Sequence, residues 1–235
     1  MSHANDSAHL GGTAVARGSL VDLSHPITNG MFHSRRYPGP EIRRVSSIEV
    51  DNINVTYASF LVHSGTHVDA PRHFFLDGES ITDISLDRFV GDGLVVSVDR
   101  QAGEEIPAAD VVPQVEAFGP DAMLCLHTGW DKRYADPEDY RQYPYLSLEL
   151  AHALVKLKVG MLLLDTPSPD MPEGPRPPDF DWPIHRVLIN GGVLITEQAA
   201  HLDLLRARRF RLHALPIALA GSDGAPARVV AEVRE

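Results

Sequence analysis

The chain has 235 residues, 43% of them hydrophobic, with a formal charge of −11 and one cysteine. That length is enough to bury a sizeable core in one domain. The negative charge argues against nucleic acid or an anionic membrane as a partner. The lone Cys125, in the apolar run AMLCL, excludes a disulfide within the chain and reads as a buried, inert thiol.

Residues 1–18, MSHANDSAHLGGTAVARG, are polar and small and lack the apolar block of a signal peptide. We expect a disordered tail there, with His3 and His9 incidental, and one domain over 19–235. Apolar runs such as VGMLLLD fall far short of the roughly 20 residues of a membrane-spanning helix. A cytoplasmic protein is the expectation.

The ordered part is expected to open at SLVDLSHPI. In INVTYASFLV, Ile53, Val55, Tyr57 and Leu61 alternate with the period of a strand. GLVVSV, AMLCLH, GVLIT, FRLHALPIAL and ARVVAEV are further strand candidates, and GMLLLD is apolar on both faces, as in a covered central strand. PAADVVPQVEAFG is a helix candidate weakened by Pro113. SLELAHALVKLK sets Leu150, Leu154 and Leu157 on one stripe behind Ser147 as N-cap. DWPIHRVLIN predicts a helix from Pro183 to the pair Gly191 and Gly192. Between the last two helices, DTPSPDMPEGPRPPDFDWP has too many prolines for a regular element and predicts a long loop over one end of the sheet. Strands mixed with helices imply an α/β or α+β domain.

One segment carries more chemistry than a core or a solvated loop needs. HSGTHVDAPRH, residues 63–73, holds three histidines and an aspartate. A strand of four residues spans roughly 13 Å, whereas metal ligands lie about 2.0–2.2 Å from one ion. The chain must therefore bend between His63 and His67, and Gly65 in SGT permits it. Two imidazoles and the Asp69 carboxylate suit Zn²⁺ or Mn²⁺ and leave coordination positions open, as catalytic sites do. Beyond Pro71, His73 can stand near the ion without binding it, in the place of a proton shuttle. Asp165, ending an apolar strand, reads either as an anchor for the Pro-rich loop or as a site residue, and His127 either as paired with backbone or as lining the pocket, the pairing being favoured.

The pattern H-x-G-T-H-x-D-x-P-x-H, filled by His63, Gly65, Thr66, His67, Asp69, Pro71 and His73, resembles the signature of the metal-dependent cyclase-like hydrolases. That family includes bacterial kynurenine formamidase and isatin hydrolase. VDLSHPITNGM, LHTGWD, LLLDTPSPD and HRVLINGGVLITE resemble further family segments in the same order. The resemblance implies a swivelling β/α/β fold, an α/β single domain with a mixed central sheet. It implies that His185 and Glu197 complete a site for one or two divalent ions, Zn²⁺ or Mn²⁺, with Asp69 and Glu197 bridging. Independently, His185 lies on an amphipathic helix pattern, and Glu197 closes an apolar strand, where a buried carboxylate needs a cation or a hydrogen-bond network. The YPG turn places Tyr37 where the family's aromatic-Pro-Gly turn contacts substrate, although Ser34, Arg35 and Arg36 align with that turn equally well.

The resulting expectation is a metal-dependent hydrolase of a small amide or cyclic amide, of arylformamidase or isatin-hydrolase type, with activated water as nucleophile and His73 passing the proton. A lactone hydrolase or cyclase-dehydratase on the same site is the alternative enzyme. A metal-binding protein without turnover is the alternative of another class; it has no need of His73. The absence of G-x-S-x-G argues against a serine hydrolase. The expected partner is a small-molecule substrate, with the chain as a homodimer or homotetramer.

Overall fold

The computed structural model describes residues 16–174 and 176–234. His3, His9 and most of the expected tail lie outside the described residues. At its described end, Gly18 N–H donates to Val233 O at 2.7 Å, so the chain joins the fold slightly before SLVDLSHPI. In chain order the strands are β1 (Leu20–Asp22), β2 (Glu41–Ser46), β3 (Val55–Ser59), β4 (His67–Asp69), β5 (Val90–Ser97), β6 (Glu105–Ile106), β7 (Met123–His127), β8 (Tyr145–Leu146), β9 (Met161–Leu164), β10 (Leu194–Glu197), β11 (Phe210–His213), β12 (Gly224–Pro226) and β13 (Val230–Val233). The helices are α1 (Ile48–Asp51), α2 (Val112–Phe118), α3 (Pro137–Tyr140), α4 (Leu148–Lys156) and α5 (Pro183–Asn190).

Nine strands form one mixed sheet in the order β1-β13-β11-β5-β7-β9-β10-β4-β12. The centre, β5-β7-β9-β10, is parallel. The flanks are antiparallel. Alternation along the central strands sorts their side chains between two apolar clusters. Leu124, Leu126, Leu162 and Leu164 meet Val115 of α2, Leu150 and Leu154 of α4 and Leu188 of α5. Met123, Cys125, Met161 and Leu163 face the other way, against Val21, Val68, Phe210, Leu212 and Ala231 of the flanking strands. Helices therefore cover one face and the sheet's own flanks fill the other. This matches the expected mixed-sheet α/β domain, and Cys125 is buried as expected.

The helices obey their local signals. The Ser147 hydroxyl accepts from Leu150 N–H at 3.0 Å, capping α4. Pro113 falls in the first turn of α2, where its missing N–H costs nothing, so it does not break that helix. Among the described residues, no helix is long and apolar enough to cross a membrane.

INVTYASFLV departs from expectation. β3 starts only at Val55, and every residue of it is exposed. With β2 it forms a separate two-stranded sheet outside the main one. Alternation correctly marks a strand there, but neither of its faces is buried.

Candidate metal centre

The site follows from strand register. β4 runs antiparallel to β10 with His67 opposite Glu197 and Asp69 opposite Ile195. Residues two apart on a strand share a face, as do cross-strand partners. His67, Asp69 and Glu197 therefore project from the same face as Ile195, which belongs to the helix-covered cluster. α5 covers that face and brings His185 onto the two carboxylates.

A tight bend carries His63 into the same space. Gly65 adopts φ +64°, a left-handed conformation that disfavours residues with a Cβ. Gly224, opposite Asp69 in β12, leaves room for the ring, since a Cβ there would meet His63 Cε1 at 2.8 Å.

Five expected ligands converge. His63 Nδ1 lies 2.8 Å from Asp69 Oδ1, and His67 Nε2 lies 3.4 Å from both Asp69 Oδ1 and Glu197 Oε2. His185 Nε2 lies 3.4 Å from Asp69 Oδ2 and 3.1 Å from Glu197 Oε1. Each carboxylate thus turns one oxygen to His67 and the other to His185, which is the disposition of a bridge between two positions. Atoms sharing one ion at about 2.0–2.2 Å lie roughly 2.8–3.6 Å apart at octahedral to tetrahedral angles, so the spacings fit. His67 Nε2 and Asp69 Oδ2 are buried without a hydrogen-bond partner, which a purely structural network would avoid. These residues fit a divalent cation.

The far side of each ring sets its tautomer. A carbonyl only accepts, so His67 Nδ1–H donates to Gly65 O at 2.7 Å and the Nε2 lone pair faces the carboxylates. His185 Nδ1 lies 2.6 Å from Asp170 Oδ2, and donation to it likewise leaves Nε2 facing inward. Asp170 also accepts from Ile184 N–H and His185 N–H, so one carboxylate caps α5 and orients its histidine.

The charges of the cluster lean on one another. Burial disfavours charge on His67, but the Asp69 and Glu197 carboxylates beside it outweigh that and push the imidazolium up to about 10. His185 is also raised, burial being outweighed by Asp170, Asp69 and Glu197. Burial pushes Asp69 up, yet the neighbouring imidazoles of His185, His63 and His67 hold it well below the usual carboxylate range. A proton and a divalent cation compete for the same inward-facing nitrogens, so metal binding is expected to weaken as the pH falls.

His73 ends a single 3₁₀ turn, Pro71–His73, with its ring 4.0 Å from that of His63. Its Nδ1 lies 3.2 Å from Asp223 Oδ2, and the same oxygen lies 2.9 Å from His63 Nε2. Nothing local singles out Asp223, because DGAP offers only an Asp-Gly pair ahead of β12. Asp170 was visible in LLLDTPSPD, but its link to His185 depends on how the loop returns.

A cavity of about 610 Å³ opens over the centre. His63, His73, His185, Glu197 and Asp223 line it, the buried His185 and Glu197 at its base, with Phe32, Phe60, Phe74, Trp182 and Tyr37 among its walls. Tyr37 is 58% exposed, at the rim rather than the floor. His33, given no role from sequence, also lines the mouth.

Two other expectations change. His127 pairs with side chains rather than backbone, Nδ1 lying 2.9 Å from an Arg206 nitrogen and 3.2 Å from Ser97 Oγ. Asp165 holds the TGW turn instead of the Pro-rich loop, accepting from Thr128 N–H, Thr128 Oγ–H and Gly129 N–H. Burial pushes its carboxyl up to about 7 despite those bonds.

Glu197→Gln keeps the side-chain volume and removes the anionic charge of a candidate ligand. Metal affinity is expected to fall by at least about tenfold, since even supporting partners are worth that much. Metal per chain after dialysis checks it; a full complement would make Glu197 structural.

Residues 21–171 match the family model described as "Putative cyclase". A kynurenine formamidase from Bacillus cereus is 29% identical over 217 residues, covering 89% of this chain and 95% of that protein. Isatin hydrolase A from Labrenzia aggregata, solved with benzyl benzoate, superposes with a TM-score of 0.80 at 24% identity, covering 92% of this chain and 94% of that one. Isatin hydrolase A from Ralstonia solanacearum gives 0.79 at 20% identity, over 91% of each chain.

Proposed function

The chain belongs to the cyclase family, and from that premise we propose that it is a metal-dependent hydrolase of a small amide or cyclic amide, acting on a non-peptide C–N bond. The observation that carries the reading is the pair of shared carboxylates, Asp69 and Glu197, each facing two imidazoles at the base of an aromatic-walled cavity. The names of the relatives, kynurenine formamidase and isatin hydrolase, support the C–N bond as the target.

His63, His67 and Asp69 would hold one ion, and His185 with Glu197 would complete a second position across the shared carboxylates. Nitrogen and carboxylate donors suit Zn²⁺ or Mn²⁺. When bound, such a cation supplies Lewis acidity, polarising a carbonyl and making water a nucleophile near neutral pH.

The remaining work falls to side chains. Phe74 and Trp182 give the cavity an aromatic wall against which a substrate ring would pack. Donation from His73 Nδ1–H to Asp223 holds the ring and leaves Nε2 to carry a proton to the leaving nitrogen. Amine expulsion needs that proton, because an amide anion is a poor leaving group. A protein that only stored metal would have no need of a proton carrier, so the place of His73 in the cavity favours turnover over binding alone.

A panel of N-formylkynurenine, isatin and a simple aryl lactone tests the reading on metal-loaded protein. Hydrolysis of at least one C–N substrate is expected. Lactone turnover alone would shift the reading to a lactonase, and no turnover of any would end it.

A further inference from the structure

Asp223 stands outside the five expected ligands, on the turn that enters β12, and main-chain bonds fix its place. Its carbonyl accepts from Ala70 N–H at 2.9 Å, and the carbonyl of Ser222 accepts from Ile81 N–H at 2.9 Å. Gly224, the next residue, sits opposite Asp69 in the β12–β4 pair. The carboxylate is therefore held in register with β4, which carries His67 and Asp69, and with the Pro71–His73 turn just after it.

From there one oxygen meets two histidines of different duty. Asp223 Oδ2 lies 2.9 Å from His63 Nε2 and 3.2 Å from His73 Nδ1. A carboxylate oxygen has lone pairs enough to accept from both rings. The rings lie 4.0 Å apart and 31° from parallel, so each limits the rotation of the other. On its opposite edge, His63 Nδ1 faces Asp69 Oδ1 at 2.8 Å. An imidazole that gives Nδ1 to a cation keeps its proton on Nε2, and Asp223 is the acceptor placed to receive that N–H. His73 turns the other nitrogen to the same oxygen, so its Nε2 is the one left free.

We propose that Asp223 is a positioning residue for both halves of the site, orienting His63 as a metal ligand and His73 as the proton carrier through one shared carboxylate oxygen. A carboxylate behind a ligating imidazole fixes its tautomer and raises its basicity. The same kind of bond selects the Nδ1–H form of His73. Because both effects pass through one atom, the hold on the cation and the readiness to protonate a leaving nitrogen are linked. Asp223 itself touches neither the cation nor the reacting atoms. The proton-carrier half rests on the amide-hydrolase reading, and the ligand half does not.

Three readouts on Asp223→Ala test the assignment. The side chain is 43% exposed and its main-chain bonds survive truncation, so the metal-free melting temperature should match that of the wild type. First, competition with a chromophoric chelator should show Zn²⁺ held about 10–100-fold more weakly, whereas His73→Ala should hold it normally. Second, nitrogen NMR of the imidazole rings in zinc-loaded protein should place the His73 proton on Nδ1 in the wild type. In Asp223→Ala it should move to Nε2, the form an unconstrained imidazole favours. Third, at saturating zinc, kcat on the best amide of the panel should fall about tenfold or more, and adding Asp223→Ala to His73→Ala should cost little further. Asp223→Asn keeps an acceptor oxygen and should recover part of each effect. Wild-type zinc affinity in Asp223→Ala would overturn the proposal, as would a His73 tautomer that does not respond. Losses of kcat that multiply in the double variant would also overturn it, because the two residues would then act independently. If affinity and tautomer change as expected but no amide is cleaved by the wild type, the hydrolase reading fails and the positioning role stands.

Discussion

His73→Ala is expected to keep its metal and its fold and to lose about 10²–10⁴ in kcat, the usual worth of a positioned acid–base group. The ring is partly exposed and makes one polar contact, Nδ1 to Asp223, so truncation opens no sealed cavity. The loss should be greatest for amides with strongly basic leaving amines, which depart only when protonated. An activated ester should suffer less. A rival assignment exists, because His63, Asp69 and His73 also offer three donor atoms within 4.8 Å of one another. Metal content decides between them: a metal-depleted His73→Ala would make His73 a ligand.

His67→Ala should behave in the opposite way, losing metal and activity together. His67 is 1% exposed, and its Nε2 faces Asp69 and Glu197. Removing it takes away a donor and leaves the Gly65 carbonyl without its partner, which costs about 1–3 kcal/mol when buried. Its melting temperature should therefore fall as well. Retained metal at wild-type affinity, whatever the stability, would remove His67 from the centre. The contrast between the two variants separates holding the cation from moving the proton.

The histidine loop was legible because its chemistry is local. His63, Gly65, His67, Asp69 and His73 lie within eleven residues, and the needed bend has a glycine with φ +64°. The helices were legible for the same reason, through Ser147 as cap and Pro183 in a first turn. Contacts set by return paths were not. Asp170 meets His185 only after the Pro-rich loop turns back, and Asp223 meets His63 and His73 across 160 and 150 residues. Strand alternation in β3 says that one face differs from the other, and nothing local says that both stay exposed. His127 resisted for another reason, since both partners, Ser97 and Arg206, come from strands and loops distant in sequence.

The central claim is that a divalent cation between His63, His67, Asp69, His185 and Glu197 is required for amide hydrolysis. The direct test is to strip the protein with a chelator, add back Zn²⁺ or Mn²⁺ in steps, and read bound metal and turnover of the best panel substrate in one preparation. Turnover should be absent in the stripped protein and rise with bound metal until the site is full, with the melting temperature rising alongside, because a ligand of the native state stabilises it. Full turnover by rigorously metal-free protein would contradict the account.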